Sequence, residues 1–297
     1  MSKSACEPGR SDGEPLRAVI ARFGLRADHR LGQHFLLDRN LLARIVGAAG
    51  DLHGRAVLEV GPGPGGLTRA LLDAGAAHLV AIERDPRCIA ALRDLALAAE
   101  GRLELIEADA LEVDLADLGI ERLAIVANLP YNVGTPLLLG WLDRLQRIES
   151  MTLMFQREVA ERLTAAPDTR SYGRLSVMVQ WLCEARCLFH LPSRAFTPPP
   201  QVASTLVGLT PRPRPLAPAD KAALERVVAA AFGQRRKMLR SSLKALTPEA
   251  DALLERAGIP GTARAETVSI EGFCRLAEAW RAMRPAHSLR AARGTGR

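Results

Sequence analysis

Four residues that follow a predicted buried strand have side chains and backbone groups that could take part in a reaction. Five apolar residues (123–127) lead into Asn128, Leu129, Pro130 and Tyr131. The amide oxygen of Asn128 and the backbone carbonyl of Leu129 or Pro130 could each accept one hydrogen of an adenine N6 amine, which would free the nitrogen lone pair to attack an electrophilic methyl group. Pro130 helps to fix the turn, and Tyr131 offers a flat ring on which a base can stack. We interpret the tetrapeptide as a clamp for an adenine base; a plain turn with a half-buried tyrosine is the alternative.

A glycine-rich turn lies between the first predicted strand of a sheet and the following helix. Gly61, Gly63 and Gly65 permit backbone angles and close approaches that a Cβ atom would block. Together with Gly66, the turn also satisfies the G-x-G-x-x-G pattern of dinucleotide sites. Glu83 ends the next strand, where a carboxylate can accept hydrogen bonds from ribose hydroxyls. Nicotinamide dinucleotides and S-adenosylmethionine both carry such a ribose, so these residues leave the two ligands open.

Residues at two later strand ends distinguish between these two candidate ligands. Asp109 follows the third strand and could accept a hydrogen bond from the exocyclic amine of adenine, although a helix N-cap or a turn would also use an aspartate. Asn128 ends the fourth strand, so that Glu83, Asp109 and Asn128 form one polar rim opposite the glycine-rich turn. This set favours S-adenosylmethionine. The methyl donor already carries a positive charge on sulfur, so we predict no metal site.

Short apolar runs alternate with helical segments through the first two thirds of the chain, which predicts an α/β fold with a parallel sheet covered on both faces. The predicted strands are 56–60, 79–83, 103–107, 123–128 and 151–155, with further strand-like runs near 183–191 and 203–209. After a proline-rich break at 210–218, three or four helical segments predict a small α-helical domain. We therefore predict a disordered N-terminus (1–14), an S-adenosylmethionine-dependent domain (15–211), a helical domain (212–286) and a basic flexible tail (287–297).

The composition is that of a globular protein with a basic excess. Apolar residues make up 48% of the 297 residues, and 40 lysines and arginines face 33 acidic residues, for a net charge of +7. Such a balance is compatible with a nucleic-acid partner. The five scattered cysteines argue against a disulfide framework. No apolar run has the length of a membrane span or the pattern of a signal peptide, so we expect a cytoplasmic protein without a membrane partner.

A basic segment marks the predicted helical domain. The stretch "GQRRKMLRSSLK" (233–244) carries five cationic side chains and no acid. Helical spacing would place several of them on one face, which would attract RNA phosphates. A solvated helix, or packing of Arg236 against the main domain, is the alternative. The predicted RNA-binding residues are Arg235, Arg236, Lys237, Arg240 and Lys244.

Seven short sequence motifs follow one another along the chain, and their order is part of the pattern. They are "LGQHFLLD" (31–38), "EVGPGPGGLT" (59–68), "IERD" (82–85), "EADAL" (107–111), "NLPYNVGTPLL" (128–138), "FTPPPQVAST" (196–205) and "FGQRRKMLRSSL" (232–243). In this ordered set the sequence resembles the ribosomal RNA adenine-N6 dimethyltransferases, specifically those that act on the small ribosomal subunit. The match runs from about residue 16 to residue 283.

The resemblance implies a Rossmann-like class I methyltransferase fold with a mainly seven-stranded sheet, followed by a small α-helical domain. It implies that S-adenosylmethionine supplies two methyl groups to N6 of each of two adjacent adenines. These adenines lie in the 3′-terminal hairpin loop of 16S rRNA, within the assembling 30S subunit. We expect the enzyme to be a monomer.

The resemblance also implies roles for particular residues. The expected donor-binding residues are His34, Leu36, Gly61, Gly63, Glu83, Asp109 and Asn128. The expected catalytic residues are those of the clamp (128–131), and Phe196 is expected to offer a second stacking face to the target base. Many family members have Asn where His34 stands, so the backbone at this position could matter more than the side chain.

Two other functions stay open. One is a large-subunit rRNA adenine methylase of the antibiotic-resistance type, and the other is a noncatalytic ribosome-assembly or RNA-binding factor. The basic segment and the helical extension favour the small-subunit enzyme, and the complete "NLPY" tetrapeptide favours catalysis.

Overall fold

The computed structural model describes residues 14–28 and 32–283. The predicted disordered N-terminus, apart from Glu14, and the predicted basic tail lie outside the described residues. The chain divides into two compact units. The first contains residues 1–160 and 186–211, and the second contains residues 161–185 and 212–297.

The first unit is built on a seven-stranded sheet, as predicted. The strands in chain order are β1 (Phe35–Leu36), β2 (Ala56–Val60), β3 (His78–Glu83), β4 (Leu103–Glu107), β5 (Leu123–Ala127), β6 (Ile148–Gln156), β7 (Cys183–Leu191), β8 (Phe196–Thr197) and β9 (Ser204–Pro211). The order across the sheet is β4-β3-β2-β5-β6-β9-β7, and β1 pairs with β8 in a separate two-stranded ribbon. The α/β fold expected from the alternating pattern is therefore confirmed.

The central strands are continuous apolar runs because both of their faces are covered. All five residues of β5 are buried, and so are the last five of β3. β2 pairs in parallel with both of these strands, with Val57 opposite Ala124 and Val60 opposite Ile82. Because the three strands run in parallel, their carboxyl ends meet at one edge of the sheet. β9 pairs antiparallel with β6 and ends the parallel part.

Eleven α-helices are seen within the described residues. They are α1 (Leu16–Arg22), α2 (Arg39–Ala48), α3 (Gly66–Asp73), α4 (Pro86–Ala98), α5 (Gly134–Trp141), α6 (Arg157–Thr164), α7 (Arg174–Leu182), α8 (Lys221–Gly233), α9 (Leu239–Ser242), α10 (Ala250–Ala257) and α11 (Ile270–Met283). None of them is long and apolar enough to cross a membrane.

Local signals fix the starts of the helices beside the carboxyl edge of the sheet. The side chain of Asp38 accepts hydrogen bonds from two backbone N–H groups at the start of α2. Asp85 caps α4 in the same way, with Pro86 in the first turn. α3 follows Gly65, whose φ of 87° lies in the left-handed region that favours glycine. These caps set where the loops at the sheet edge begin and end.

The second unit has its own apolar core, and this core includes residues that we predicted for the first domain. Tyr172 and Val177 are completely buried in it, together with Trp181 of α7 and residues of α8 and α11. The Tyr172 hydroxyl donates a 3.0 Å hydrogen bond to the carbonyl of Val268. Residues 161–185 therefore pack with the helical segment that begins at residue 212. The single domain boundary expected at 211/212 differs from this division because α7 buries its apolar side chains among the C-terminal helices.

Candidate active site

A cavity opens at the carboxyl edge of the sheet in the first unit. It is a concave site lined by residues of several loops at this edge, as ligand sites of α/β sheets are. The glycine-rich turn, the ends of β3 to β5 and the segment before β1 surround it. The residues expected to bind the donor and those of the clamp all line it: His34, Leu36, Gly61, Gly63, Glu83, Asp109, Asn128, Leu129, Pro130 and Tyr131.

The glycine-rich turn and the clamp touch each other inside this cavity. Gly61 has a φ of 69°, and a Cβ atom placed on it would lie 3.4 Å from the Pro130 ring. Its N–H donates a 2.9 Å hydrogen bond to the carbonyl of Ile82. The positive φ would strain any side chain at this position, and the Cβ atom would be in van der Waals contact with the Pro130 ring. The φ explains why glycine stands here, and the contact places both predicted sites in one space.

The carboxylate of Glu83 ties the glycine-rich turn to the end of β3. It accepts hydrogen bonds from the backbone N–H groups of Gly63 (2.9 Å), Arg84 (2.8 Å) and Asp85 (2.9 Å). Burial raises the pKa of Glu83, and the three backbone hydrogen bonds oppose this shift. An ionised carboxylate can accept about four hydrogen bonds. Capacity therefore remains for the ribose hydroxyl that the sequence predicts as its partner.

Asp109 is engaged within the protein on both of its carboxylate oxygens. Oδ1 accepts a 3.0 Å hydrogen bond from the N–H of Leu111, as in an Asx turn. Oδ2 lies 3.0 Å from the guanidinium of Arg84, which is largely exposed at the cavity mouth. The turn that we considered as the alternative role is thus present. The hydrogen bond to an adenine amine stays a prediction, and it would use the remaining acceptor capacity of Asp109.

Hydrogen bonds from outside the tetrapeptide orient the clamp. The Nδ2 atom of Asn128 donates a 3.1 Å hydrogen bond to the backbone carbonyl of His34, which leaves Oδ1 as the acceptor of the amide. The His34 ring lies beside the Tyr131 ring, with 5.5 Å between the ring centroids. The Tyr131 hydroxyl is 2.5 Å from the hydroxyl of Ser204. The geometry suits an amide that accepts an amine hydrogen next to a ring that holds a base.

Glu59 is a residue of the cavity that our sequence analysis did not single out. It lies in the middle of β2, only 1% exposed, and its Oε2 atom has no hydrogen-bond partner within the described residues. Burial raises the pKa of Glu59 to about 8; the hydroxyl of Thr68 acts against this shift and the nearby carboxylate of Glu83 adds to it. The signal in the sequence is a single acid inside an otherwise apolar strand, two residues before the glycine-rich turn. A buried carboxyl group that lines the cavity and has one oxygen without a hydrogen-bond partner among the described residues is suited to receive a cationic ligand.

Phe196 is placed differently from our prediction. It pairs with Leu36 in the β1–β8 ribbon, it is only 2% exposed, and its side chain packs in the apolar core of the first unit. It does not line the cavity, and its ring approaches the edge of His34 at 6.5 Å between centroids. The structure thus places Phe196 in the core of the first unit, and its role as a second stacking face stays a prediction.

The basic segment of the second unit forms a turn between α8 and α9 rather than one helix face. Arg235 is exposed but bound to its own unit, because its guanidinium donates hydrogen bonds to the carbonyls of Arg170 (2.6 Å) and Tyr172 (3.0 Å) and lies 3.7 Å from Glu266. The other four predicted RNA-binding side chains are also exposed, and they form no ion pair with a described residue; they are Arg236, Lys237, Arg240 and Lys244. The predicted shared helix face is therefore wrong, and Arg235 has a structural role in its place.

Comparison with known proteins identifies the family. The family model described as "Ribosomal RNA adenine dimethylase" matches residues 24–281. The chain belongs to the ribosomal RNA adenine dimethylase family. Two curated relatives of this dimethylase are both named "Ribosomal RNA small subunit methyltransferase A". The protein of Paramagnetospirillum magneticum is 62% identical over 91% of this chain and 95% of its own length, and that of Rhodospirillum rubrum is 59% identical over 89% and 92%.

Two solved structures support the same assignment for the dimethylase fold. The 23S rRNA methyltransferase ErmE is 31% identical, with a TM-score of 0.64 over 83% of this chain and 99% of its own. A dimethyladenosine transferase from Plasmodium falciparum is 25% identical, with a TM-score of 0.70 over 82% and 96%. The Rossmann-like methyltransferase fold is thereby confirmed.

S-adenosylmethionine is the methyl donor of this dimethylase, and the cavity fits it. The donor carries a positive sulfonium, and the cavity is lined by the carboxyl groups of Glu59, Glu83 and Asp109. Gly61 and Gly63, whose positive φ values favour glycine, line the same cavity. When bound, the donor supplies an activated methyl group, so the protein needs to provide alignment and charge placement.

Proposed function

We propose that this protein dimethylates N6 of two adjacent adenines in the 3′-terminal hairpin loop of 16S rRNA, within the assembling 30S subunit. The observation that carries the proposal is the single cavity shared by the clamp and the donor-binding residues, with Gly61 against Pro130. The names of the curated relatives support the small subunit as the source of the RNA. We further propose that the protein acts in the cytoplasm as a monomer.

The clamp residues make the N6 amine nucleophilic in this proposal. The lone pair of an adenine N6 is delocalised into the ring, so the free amine is a poor nucleophile. Hydrogen bonds to the Oδ1 of Asn128 and to a backbone carbonyl of Leu129 or Pro130 favour a more tetrahedral nitrogen. One N–H of the Asn128 amide donates to the carbonyl of His34, which holds the side chain, and Oδ1 is the acceptor that the amide offers to the base. The Tyr131 ring holds the base after it leaves the stack of the hairpin loop.

The remaining donor-binding roles are proposals of the same kind. Glu83 accepts from the ribose, Asp109 from the adenine amine of the donor, and the backbone around Gly61 and Gly63 approaches the donor closely. Leu36 and His34 line the opposite wall, where His34 contributes its carbonyl and its ring. This assignment predicts a donor site that tolerates no side chain at Gly61.

RNA binding is proposed for the exposed part of the basic segment in the second unit. Four exposed cations in a short stretch, which form no ion pair with a described residue, would attract the phosphates of the rRNA. Arg236, Lys237, Arg240 and Lys244 are those cations, whereas Arg235 stabilises the unit internally. Contacts of this type are independent of base sequence and position the particle.

A second candidate function is methylation of the large-subunit rRNA, because the solved structure of the 23S rRNA methyltransferase ErmE aligns with 83% of this chain. The test is methyl transfer from labelled S-adenosylmethionine to purified 30S and 50S particles from cells that lack both marks. We expect incorporation into 30S particles only, and none with an Asn128→Ala variant. Incorporation into 50S particles would favour the second candidate. Binding to 30S particles without any incorporation would indicate a noncatalytic assembly factor.

A further inference from the structure

The segment that begins at Phe196 makes hydrogen bonds to Tyr131 of the clamp and to its neighbour His34. This segment runs from Phe196 to Ser204 and contributes two polar groups. The carbonyl of Pro198 lies 2.8 Å from the Nδ1 atom of His34, and the hydroxyl of Ser204 lies 2.5 Å from the hydroxyl of Tyr131. His34 in turn contacts Asn128 through its carbonyl and Tyr131 through its ring. Both chemical elements of the clamp, the amide and the ring, are thus connected to this one segment.

Ser204 is a firm anchor for the Tyr131 hydroxyl. It is completely buried at the start of β9, opposite Gln156 of β6 in the antiparallel ladder. A serine side chain in this position has a backbone fixed by the sheet and one short rotatable bond. Tyr131 lies outside any strand or helix and is only half buried. The hydrogen bond to Ser204 therefore restricts the motion of the Tyr131 ring relative to the sheet.

We propose that Ser204 is a positioning residue for methyl transfer, which fixes the plane of the Tyr131 ring and thereby the target base stacked on it. The inference rests on the proposed function, since it presumes that a base stacks on Tyr131. It also changes the expected role of the hydroxyl of Tyr131. The sequence predicts a function only for the face of the Tyr131 ring, whereas in this proposal the hydroxyl aligns that face.

The test is a double-mutant cycle on methyl transfer to 30S particles with Ser204→Ala, Tyr131→Phe and the double variant. Each single change removes one side of the same hydrogen bond, so we expect each to lower kcat about fivefold, the worth of one net hydrogen bond. The double variant should lose no more than either single one, because the bond is lost only once. KM for the particle should change less than twofold, and the Kd of S-adenosylhomocysteine should stay the same.

Thr205→Val is the matched control. Thr205 is the next residue of β9, is 1% exposed, and its hydroxyl is bound to the Nδ1 atom of His190 at 2.8 Å. The control therefore also removes a buried hydroxyl from the same strand, but it does not touch Tyr131. We expect it to lower the melting temperature about as much as Ser204→Ala while leaving kcat unchanged.

A Ser204→Ala variant with the parental kcat would overturn the proposal, and so would losses in the two single variants that multiply in the double variant. An equal loss of kcat in Thr205→Val would assign the effect to stability and would overturn it as well. If Ser204→Ala does not fold, Tyr131→Phe decides alone: a fivefold fall of kcat supports the proposal and an unchanged kcat refutes it. An inactive parent protein would instead refute the proposed function.

Discussion

Binding of the methyl donor should depend on pH through Glu59. This carboxyl group is buried in the cavity with a pKa raised to about 8, and its Oε2 atom has no partner in the part of the chain that the structure describes. Only the ionised form attracts the cationic donor. The ionised fraction of a group with this pKa is about 1% at pH 6 and about half at pH 8. The apparent affinity should therefore rise with pH, by at most about fiftyfold between pH 6 and pH 8.

Calorimetric titration of S-adenosylmethionine into the protein measures this dependence, and repeating it in buffers of different ionisation enthalpy counts the proton that Glu59 releases. Glu59→Gln mimics the protonated form in shape, so its Kd should be weak and nearly independent of pH. His34 also lines the cavity. His34→Asn keeps the backbone carbonyl and serves as the control. Its Kd should depend on pH as that of the parent protein does. A flat Kd in the parent protein, or the same slope in Glu59→Gln, would refute this reasoning.

The pKa of Glu59 also predicts the direction of a change in stability. The Glu59 carboxyl group binds its proton more tightly in the folded protein than in the unfolded chain. Its contribution to the free energy of unfolding is therefore complete below about pH 4.5 and is lost as the pH rises toward 8. The slope is at most roughly 1.4 kcal/mol per pH unit. Urea unfolding of the parent and of Glu59→Gln, which should lack this component, measures the difference.

Three further predictions concern the clamp, the donor site and the basic turn. Asn128→Ala should lower single-turnover methyl transfer by roughly a hundredfold or more while 30S binding in a filter assay stays nearly the same; an equal loss of both would make Asn128 structural. Glu83→Ala should raise the Kd of S-adenosylhomocysteine at least about tenfold, because it removes the ribose acceptor and the tie to the glycine-rich turn, and an unchanged Kd would exclude Glu83 from the donor site. Arg235→Gln should lower the free energy of unfolding by about 1–3 kcal/mol through the loss of two hydrogen bonds to carbonyl groups, whereas Arg236→Gln should leave stability unchanged and weaken 30S binding at low salt; the reverse pattern would contradict the division of roles.

The strands and their polar ends could be predicted because burial on both faces leaves a clear pattern. β2, β4 and β7 have the predicted bounds, and parallel pairing then requires that the loops after neighbouring strands meet. For this reason the rim of Glu83, Asp109 and Asn128 followed from spacing alone. The two-residue strands β1 and β8 were missed, since such short runs carry no periodicity.

The residues that were misplaced or missed depend on tertiary contacts that have no local signature. Phe196 is an aromatic residue beside prolines, and nothing in its neighbourhood distinguishes a ring that faces a cavity from one that faces the core. Arg235 and Arg236 are neighbours with the same chemistry, and only the position of the carbonyls of residues 170 and 172 separates a structural role from an exposed one. Glu59 was passed over because its one signal in the sequence, a single acid in an apolar strand, does not show that the side chain lines the cavity.

The most direct test of the shared cavity is mass spectrometry of the 3′ fragment of 16S rRNA after incubation of unmethylated 30S particles with the purified protein and S-adenosylmethionine. We predict that two neighbouring adenines each gain two methyl groups and that Asn128→Ala protein, which still binds the particle, adds none. Methyl groups on another nucleotide or on another atom of the base, or an Asn128→Ala protein that methylates as fast as the parent, would contradict the assignment of donor and target base to this one site.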